Sequence, residues 1–319
     1  MGHADQSRPV VIHIGYHKTA TTWLQRAVFP KLEGVCAGDW AGMLRRELVV
    51  VNPYEFDATA TRDLVLSDVE VGDVALISYE RLSGHYAMGG LDSSMLAQRL
   101  NESFPEAKVL MTIRRQPDMV LASYGQYVRG GGTESIRRFL RPPRDGYRMP
   151  HFDLRYLEYH HLIAHYQPLF GVERVKVLAY EQLGQSAADF AQHVAEFVGV
   201  PGPGNLDAAA INRSSSPLVR GAQRRGNVLL RGALNPNGLL ESRLLSGVLA
   251  RRLKSFDQRL PEAVRRVGSS SARTIVESAC QGRFAESNDR TVGLTGLALG
   301  DLGCDVTTPA AQTHRSLAR

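Results

Sequence analysis

Three cysteines in 319 residues are too few for a disulfide framework, and they stand far apart, at Cys36, Cys280 and Cys304. None belongs to a CxxC or zinc-like spacing, so free thiols in a reducing compartment are expected. The histidine-rich stretch HFDLRYLEYHH (His151–His161) lacks the spaced carboxylate of an HExxH site, and no metal site is expected. No run of about 18 apolar residues occurs. The polar opening MGHADQSRP leads into VVIHI without the basic and apolar regions of a signal peptide. A soluble, cytoplasmic protein with no integral membrane segment is the expectation. RNP-like aromatics and a helix-turn-helix reader are also missing, which argues against a nucleic-acid partner. There is no internal repeat, and nothing in the sequence speaks to oligomeric state.

The chain has 43% hydrophobic residues, enough for one sizeable core. Short apolar runs at Val10–Gly15, Val74–Tyr79, Lys108–Arg114 and Val175–Tyr180 read as buried strands. Helical spacing follows the first, covers Ser94 to Phe104, Pro117 to Val128 and Ala187 to Val198, and suggests one long helix from Asp153 to Phe170. Alternating strands and helices predict an α/β fold: a P-loop-like three-layer α/β/α arrangement around a central parallel sheet, with a helical C-terminal extension. The whole chain, 1–319, is read as one domain. Its α/β core covers 8–200, an Arg-rich helical lid or acceptor region 205–275, a closing segment 280–305, and a frayed tail 306–319. GSSSAR, from Gly268, is expected to be a flexible joint.

Charge is uneven. Arg213 to Arg273 holds 13 Lys or Arg against 3 Asp or Glu, a net of +10, so the remainder carries −4 of the total +6. Such a half suits a polyanionic ligand, or is simply a set of solvated helical arginines.

The most informative residues are GYHKTATTWL (Gly15–Leu24), where the first strand gives way to a helix. A helix start offers unpaired N–H groups and a positive dipole end to an anion. Lys18 adds a charge, and Thr21 and Thr22 add hydroxyls. A Walker A loop needs GxxxxGK[ST], whereas here Lys18 precedes Ala20 and the closing glycine is missing. The segment closely resembles the 5′-phosphosulfate loop of sulfotransferases that use 3′-phosphoadenosine 5′-phosphosulfate (PAPS), whose usual form is YPKSGTTWL. Here His17 replaces the proline, and Thr19 and Ala20 replace Ser-Gly. The resemblance makes His17, Lys18, Thr19, Ala20, Thr21 and Thr22 candidate donor-binding residues, with Lys18 also catalytic. Trp23 is a candidate to stack on the base, or a core aromatic.

Further motifs fall in the order such an enzyme requires. The third strand ends at Arg114 and Arg115, and Ser123 follows Arg115 by eight residues, beyond a helix start marked by Pro117. In sulfotransferases this arginine–serine pair binds the 3′-phosphate, so the resemblance assigns that role to Arg115 and Ser123, with Arg114 as a helper. Glu80 ends the second strand in VALISYERLSG, where heparan-type members carry a glutamate base and cytosolic members a histidine. It is the first candidate for general base, with His85 and then His17 as alternatives, and an ion pair with Arg81 as the structural reading. VKVLAYEQL resembles the family's YEDL strand end, which gives Tyr180 a contact with adenine. A capping arginine over the nucleotide is expected among Arg213, Arg224 and Arg225, although RRGN and INRSSS match the family's RKGxxG poorly. Tyr156, Tyr159, His160 and His161 are candidates for an acceptor groove or for helical packing.

The reaction implied is sulfuryl transfer from PAPS, without a metal, to a hydroxyl or amine of a glycan, glycolipid or small molecule. A nucleotide-dependent kinase and a non-catalytic polyanion-binding protein are the competing readings.

Overall fold

The computed structural model describes residues 8–141, 151–204, 206, 216–232, 234–240, 252, 255–257, 259–261 and 269–307. Arg213 and the tail from 308 onward lie outside the described residues.

Five strands, β1 (Val10–His13), β2 (Val35–Cys36), β3 (Val74–Ser78), β4 (Lys108–Ile113) and β5 (Val175–Ala179), form one sheet in the order β2-β3-β1-β4-β5. Every pairing is parallel, with Ile12 level with Ile77 on one side and Val109 on the other. The four strands expected from apolar runs are all present. β2 is too short to leave a period in the sequence.

Strand pleating sends alternate residues to opposite faces. Val11, Leu76, Leu110 and Leu178 join one cluster with Trp23, Leu24, Val28 and Phe29, and with Phe190, Ala191, Val194 and Val198 of the helix Ala187–Val198. Ile12, Ile77, Val109 and Met111 point the other way and are equally buried. The helix His160–Phe170 packs against β5, and also against the helices Ser93–Ser103 and Ala285–Thr295. Each fully buried aliphatic side chain contributes about 1.5–3 kcal/mol. Continuous apolar strands are what a sheet covered on both faces requires.

Two expectations fail. The long helix from Asp153 is instead a 3-10 turn, Leu154–Leu157, followed by the helix His160–Phe170. Leu154, Tyr156, Leu157 and Tyr159 are all buried, so this stretch cannot keep one wet face as an amphipathic helix would. The joint expected around GSSSAR lies in the helix Ser269–Cys280, in which Val276 and Cys280 share a buried face four residues apart.

The chain divides into two compact units. The first comprises 1–115, 155–211 and 284–319 and contains the whole sheet; the second comprises 116–154 and 212–283. Within the second, the helix Gln116–Arg129 is packed by Pro217–Asn227 and Ser269–Cys280.

Candidate active site

From β1 the chain moves toward β2 and β3, and from β4 toward β5. Neighbouring strands whose connections diverge in this way leave a crevice beyond their carboxyl ends. The loop after β1 and the Arg114–Arg115 pair after β4 both stand at that edge.

Lys18 (φ 69°) and Ala20 (φ 71°) are the non-glycine residues with left-handed backbone among those described. Each such residue costs about 1–2 kcal/mol, and strain of this kind concentrates where a backbone must hold a ligand. Left-handed turns aim N–H groups to one side and form anion-binding concavities. The helix opens at Thr21, and the amides of Trp23 and Leu24 donate to the Ala20 carbonyl at 2.8 and 3.0 Å. Amides ahead of them belong to the open helix start. The Thr21 hydroxyl is buried without a hydrogen-bond partner, while Lys18 and Thr22 are exposed.

Beneath the loop lies a buried polar network. His13 Nδ1 is 2.9 Å from Ser78 Oγ, and His13 Nε2 is 3.3 Å from Thr112 Oγ1. Thr112 Oγ1 is 2.6 Å from Thr19 Oγ1, which donates to the Tyr16 carbonyl at 2.5 Å. Gln25 Nε2 donates to Ser78 O and Oγ at 2.9 and 3.2 Å. Burial holds the His13 imidazole neutral, its pKa lowered to about 3.

Arg114 clamps the loop from the β4 side. Its Nη1 donates to the Lys18 carbonyl at 3.1 Å, and its guanidinium sits 4.4 Å from the centre of the Tyr180 ring. Its own carbonyl accepts from the Tyr159 hydroxyl at 2.6 Å, and its Nε is buried without a partner. The Arg115 amide donates to Glu181 Oε1 at 2.9 Å.

Glu80 opens the 3-10 turn Glu80–Ser83 that follows β3, and its Oε1 comes to 4.0 Å from His17 Nδ1. The Glu80 side chain is 38% exposed, whereas that of His17 is 8% exposed. Next to it, Arg81 Nη2 pairs with Asp92 Oδ2, and Asp92 Oδ1 accepts from the His85 amide at 3.0 Å. Arg81 therefore pairs with Asp92 and leaves Glu80 out of the surface ion pair weighed from the sequence. Arg81 Nη1 is buried without a hydrogen-bond partner.

The electrostatics follow from this crowding. Burial, then the neighbouring His85, Arg81 and Lys18, push the His17 pKa down to about 3, against a weaker opposing contact with the Gly84 backbone. Burial, then Arg81, lower that of His85, with Asp92 opposing. Burial of Asp92 disfavours its charge, but the bond from Arg81 and the His85 amide outweigh it, and its pKa ends below the usual carboxylate value. The half-exposed carboxylate of Glu80 and the imidazoles of His17 and His85, both shifted down from the ordinary histidine value, are the proton-accepting groups beside the loop.

Other candidates lie elsewhere. Trp23 is packed into the core against Phe190, with ring centres 6.2 Å apart. Tyr156 and Tyr159 pack on Tyr16 at 4.9 and 4.7 Å, and His160 bonds Ser287 at 2.8 Å; these are packing contacts. In the second unit, Ser123 is wholly buried and its hydroxyl has no hydrogen-bond partner. Arg224 donates to the Thr133 carbonyl at 3.3 Å, and Arg225 is exposed. Sequence reasoning missed His13, Thr112 and the Arg81–Asp92 pair. Polar residues at the ends of otherwise apolar strands were the available signal for the first two.

Among the described residues, no cluster of His, Cys, Asp and Glu is placed to hold a metal, and no helix is long and apolar enough to cross a membrane. Residues 91–203 match the sulfotransferase family. That span contains β4, Arg114, Arg115, Ser123 and Tyr180, while Lys18 and Glu80 precede it. Among solved structures, a sulfotransferase from Alicyclobacillus acidocaldarius is 20% identical, with a TM-score of 0.45 over 82% of this chain and 100% of that one. The sulfotransferase domain from the curacin biosynthetic pathway is 12% identical, with a TM-score of 0.33 over 86% of this chain and 98% of its own. No curated protein matches the sequence. The family match supports the resemblance read from the motifs, and with it sulfuryl transfer as the class of reaction.

Proposed function

We propose that this chain, whose residues 91–203 match the sulfotransferase family, moves the sulfuryl group of PAPS to a hydroxyl or amine of a glycan, glycolipid or small-molecule acceptor. The observation that carries the reading is a strained lysine loop at the sheet edge, beside buried donors with no hydrogen-bond partner at Thr21 Oγ1, Arg114 Nε and Arg81 Nη1. Buried donors are almost always satisfied, and an anion at the loop would satisfy these.

PAPS supplies a sulfuryl group joined to a good leaving phosphate. Glu80 accepts the proton of the acceptor hydroxyl or amine as that atom bonds to sulfur and the bond from sulfur to the bridging phosphate oxygen breaks. Lys18, the loop amides from His17 to Thr22 and the Thr21 hydroxyl neutralise charge that grows on the sulfuryl oxygens and the departing phosphate. Positioning and charge neutralisation do most of the work, as in phosphoryl transfer. Arg114 holds the loop at Lys18 O and lies over the ring of Tyr180; Tyr180 is assigned to the adenine on the motif. Arg115 is assigned to the 3′-phosphate; Ser123 is assigned to it on its place in the sequence motif alone. An anionic acceptor is in keeping with the net +10 between Arg213 and Arg273.

Titration calorimetry with adenosine 3′,5′-bisphosphate, beside ATP–magnesium, tests this. Micromolar binding of the bisphosphate, weakened at least about tenfold in Arg115→Ala by loss of a charged hydrogen bond, is expected. Preference for ATP–magnesium would replace the reading with a kinase, and salt-sensitive polyanion binding without bisphosphate affinity would replace it with a binding protein.

A further inference from the structure

The buried network under the loop touches every strand end that carries a candidate catalytic group. Ser78 ends β3 two residues before Glu80. Thr112 lies in β4 two residues before Arg114. Thr19 stands between the two left-handed residues, Lys18 and Ala20. His13, the last residue of β1, bonds to the first two and reaches the third through Thr112.

The direction of every proton in this chain follows from its fixed ends. The Tyr16 carbonyl can only accept, so Thr19 spends its hydroxyl proton there. Thr19 Oγ1 must then accept from Thr112, whose oxygen in turn accepts from His13 Nε2–H. At the other end, the Gln25 amide can only donate, so Ser78 Oγ accepts from it. His13 Nε2 already carries the proton given to Thr112, so in the neutral ring Nδ1 is bare and accepts from the Ser78 hydroxyl. The order closes as Gln25 to Ser78 to His13 to Thr112 to Thr19 to Tyr16 O, with each hydroxyl donating once. Of the two neutral tautomers only Nε2–H fits, because Thr112 needs a donor from the ring. Full burial disfavours the charged imidazolium.

We propose that His13 is a positioning residue. As the Nε2–H tautomer it ties the β3 end that leads to Glu80 and the β4 end that leads to Arg114 to Thr19, and so fixes the backbone of the Lys18 loop. This deepens the sulfotransferase reading and rests on it for its consequence in catalysis. Thr19 is locked at both its bonds while flanked by two strained residues, so the loop is held in shape before any ligand arrives. Supporting shells of this kind set the geometry of groups that touch a substrate. Preorganised polar chains are strengthened by their neighbours and costly to break.

Two measurements test it together. The first needs no activity: long-range 1H–15N spectra of histidine-labelled protein at pH 7, with the His13 signals assigned by their loss in His13→Gln. The expected pattern is a neutral Nε2–H ring. An Nδ1–H ring, or a charged one, would overturn the proposal whatever the protein catalyses. The second uses Thr112→Val, which keeps the shape but removes the middle hydroxyl, against Thr112→Ser, which retains it. With PAPS as donor, Thr112→Val is expected to lower kcat by about 10- to 100-fold, the scale of a small misplacement of a catalytic group. KM and the Kd for adenosine 3′,5′-bisphosphate should stay within about threefold, and Thr112→Ser should recover most of kcat. An unchanged kcat in Thr112→Val, or no recovery in Thr112→Ser, would refute the positioning role. If wild-type protein transfers nothing from PAPS, the function falls while the tautomer measurement still decides the network.

Discussion

Gly15 carries a sharp stability prediction. A Cβ built on it would lie 2.1 Å from Thr112 Oγ1, 2.7 Å from His13 Nε2 and 3.1 Å from Thr19 Oγ1. None of these atoms is the far end of a flexible chain; all three are short side chains in a closed network. Gly15→Ala must either push the strand ends apart, at about 1–3 kcal/mol for overpacking, or break a buried hydrogen bond, at about 1–3 kcal/mol for the group left unpaired. A loss of about 1–3 kcal/mol follows. Gly42, in the short helix Ala41–Leu44, has nothing within 4 Å of its Cβ position. There the same substitution should stabilise by about 0.5–1 kcal/mol through backbone entropy. The chain's two tryptophans, Trp23 and Trp40, both lie in the first unit, so their fluorescence reports that unit's unfolding in urea. With a slope of about 2 kcal/mol per molar, the midpoint should fall by about 0.5–1.5 M in Gly15→Ala and rise by about 0.3–0.5 M in Gly42→Ala. A Gly15→Ala midpoint within about 0.3 M of wild type would mean that the polar network is not closed against the strand end.

Three further outcomes are expected. Lys18→Ala should lower turnover by about 10²–10³-fold, as for loss of one charge-stabilising donor, while changing bisphosphate affinity far less; equal losses would reduce Lys18 to a binding group. Glu80→Gln should cost about 10²–10⁴-fold in kcat, and His85→Ala less than about tenfold; the reverse order in steady-state assays would move the base to the histidine. His13 and His17 are held neutral with pKa values near 3, against 6.5 unfolded. Between those values the unfolded chain binds more protons, so stability should fall as pH drops from about 6.5 toward 3. Urea midpoints flat across that range would contradict the burial of both rings.

Much of this was legible from one-dimensional pattern. Apolar runs located four of five strands because a covered parallel sheet needs apolar residues on both faces. The lysine loop and the arginine pair were legible because both depend on local order at a strand-to-helix turn. What stayed hidden was set by contacts across tens of residues. Arg81 chooses Asp92 over Glu80, a preference that no local spacing reveals. His13 and Thr112 stand 99 positions apart, and each alone reads as an ordinary strand residue. The helix expected from Asp153 broke because Tyr156 and Tyr159 are drawn in on Tyr16, and tertiary burial outweighs periodicity there.

The segment from Glu80 to Asp92 is closed by bonds of its own. Asp92 grips Arg81 and the His85 amide, Ser83 Oγ returns to the Glu80 carbonyl, and the Gly90 amide returns to the His85 carbonyl. It meets the rest of the first unit through Tyr156, whose hydroxyl lies 3.1 Å from Ser83 Oγ, through the ring of His17, 5.0 Å from that of Tyr86, and through the helix Ser93–Ser103. Gly89 and Gly90, at φ 62° and 68°, close the turn, and a Cβ on Gly90 would strike the Tyr156 ring. Variation of this segment therefore has room at Ala87, Met88 and Leu91, with the two glycines kept as its fixed hinge points.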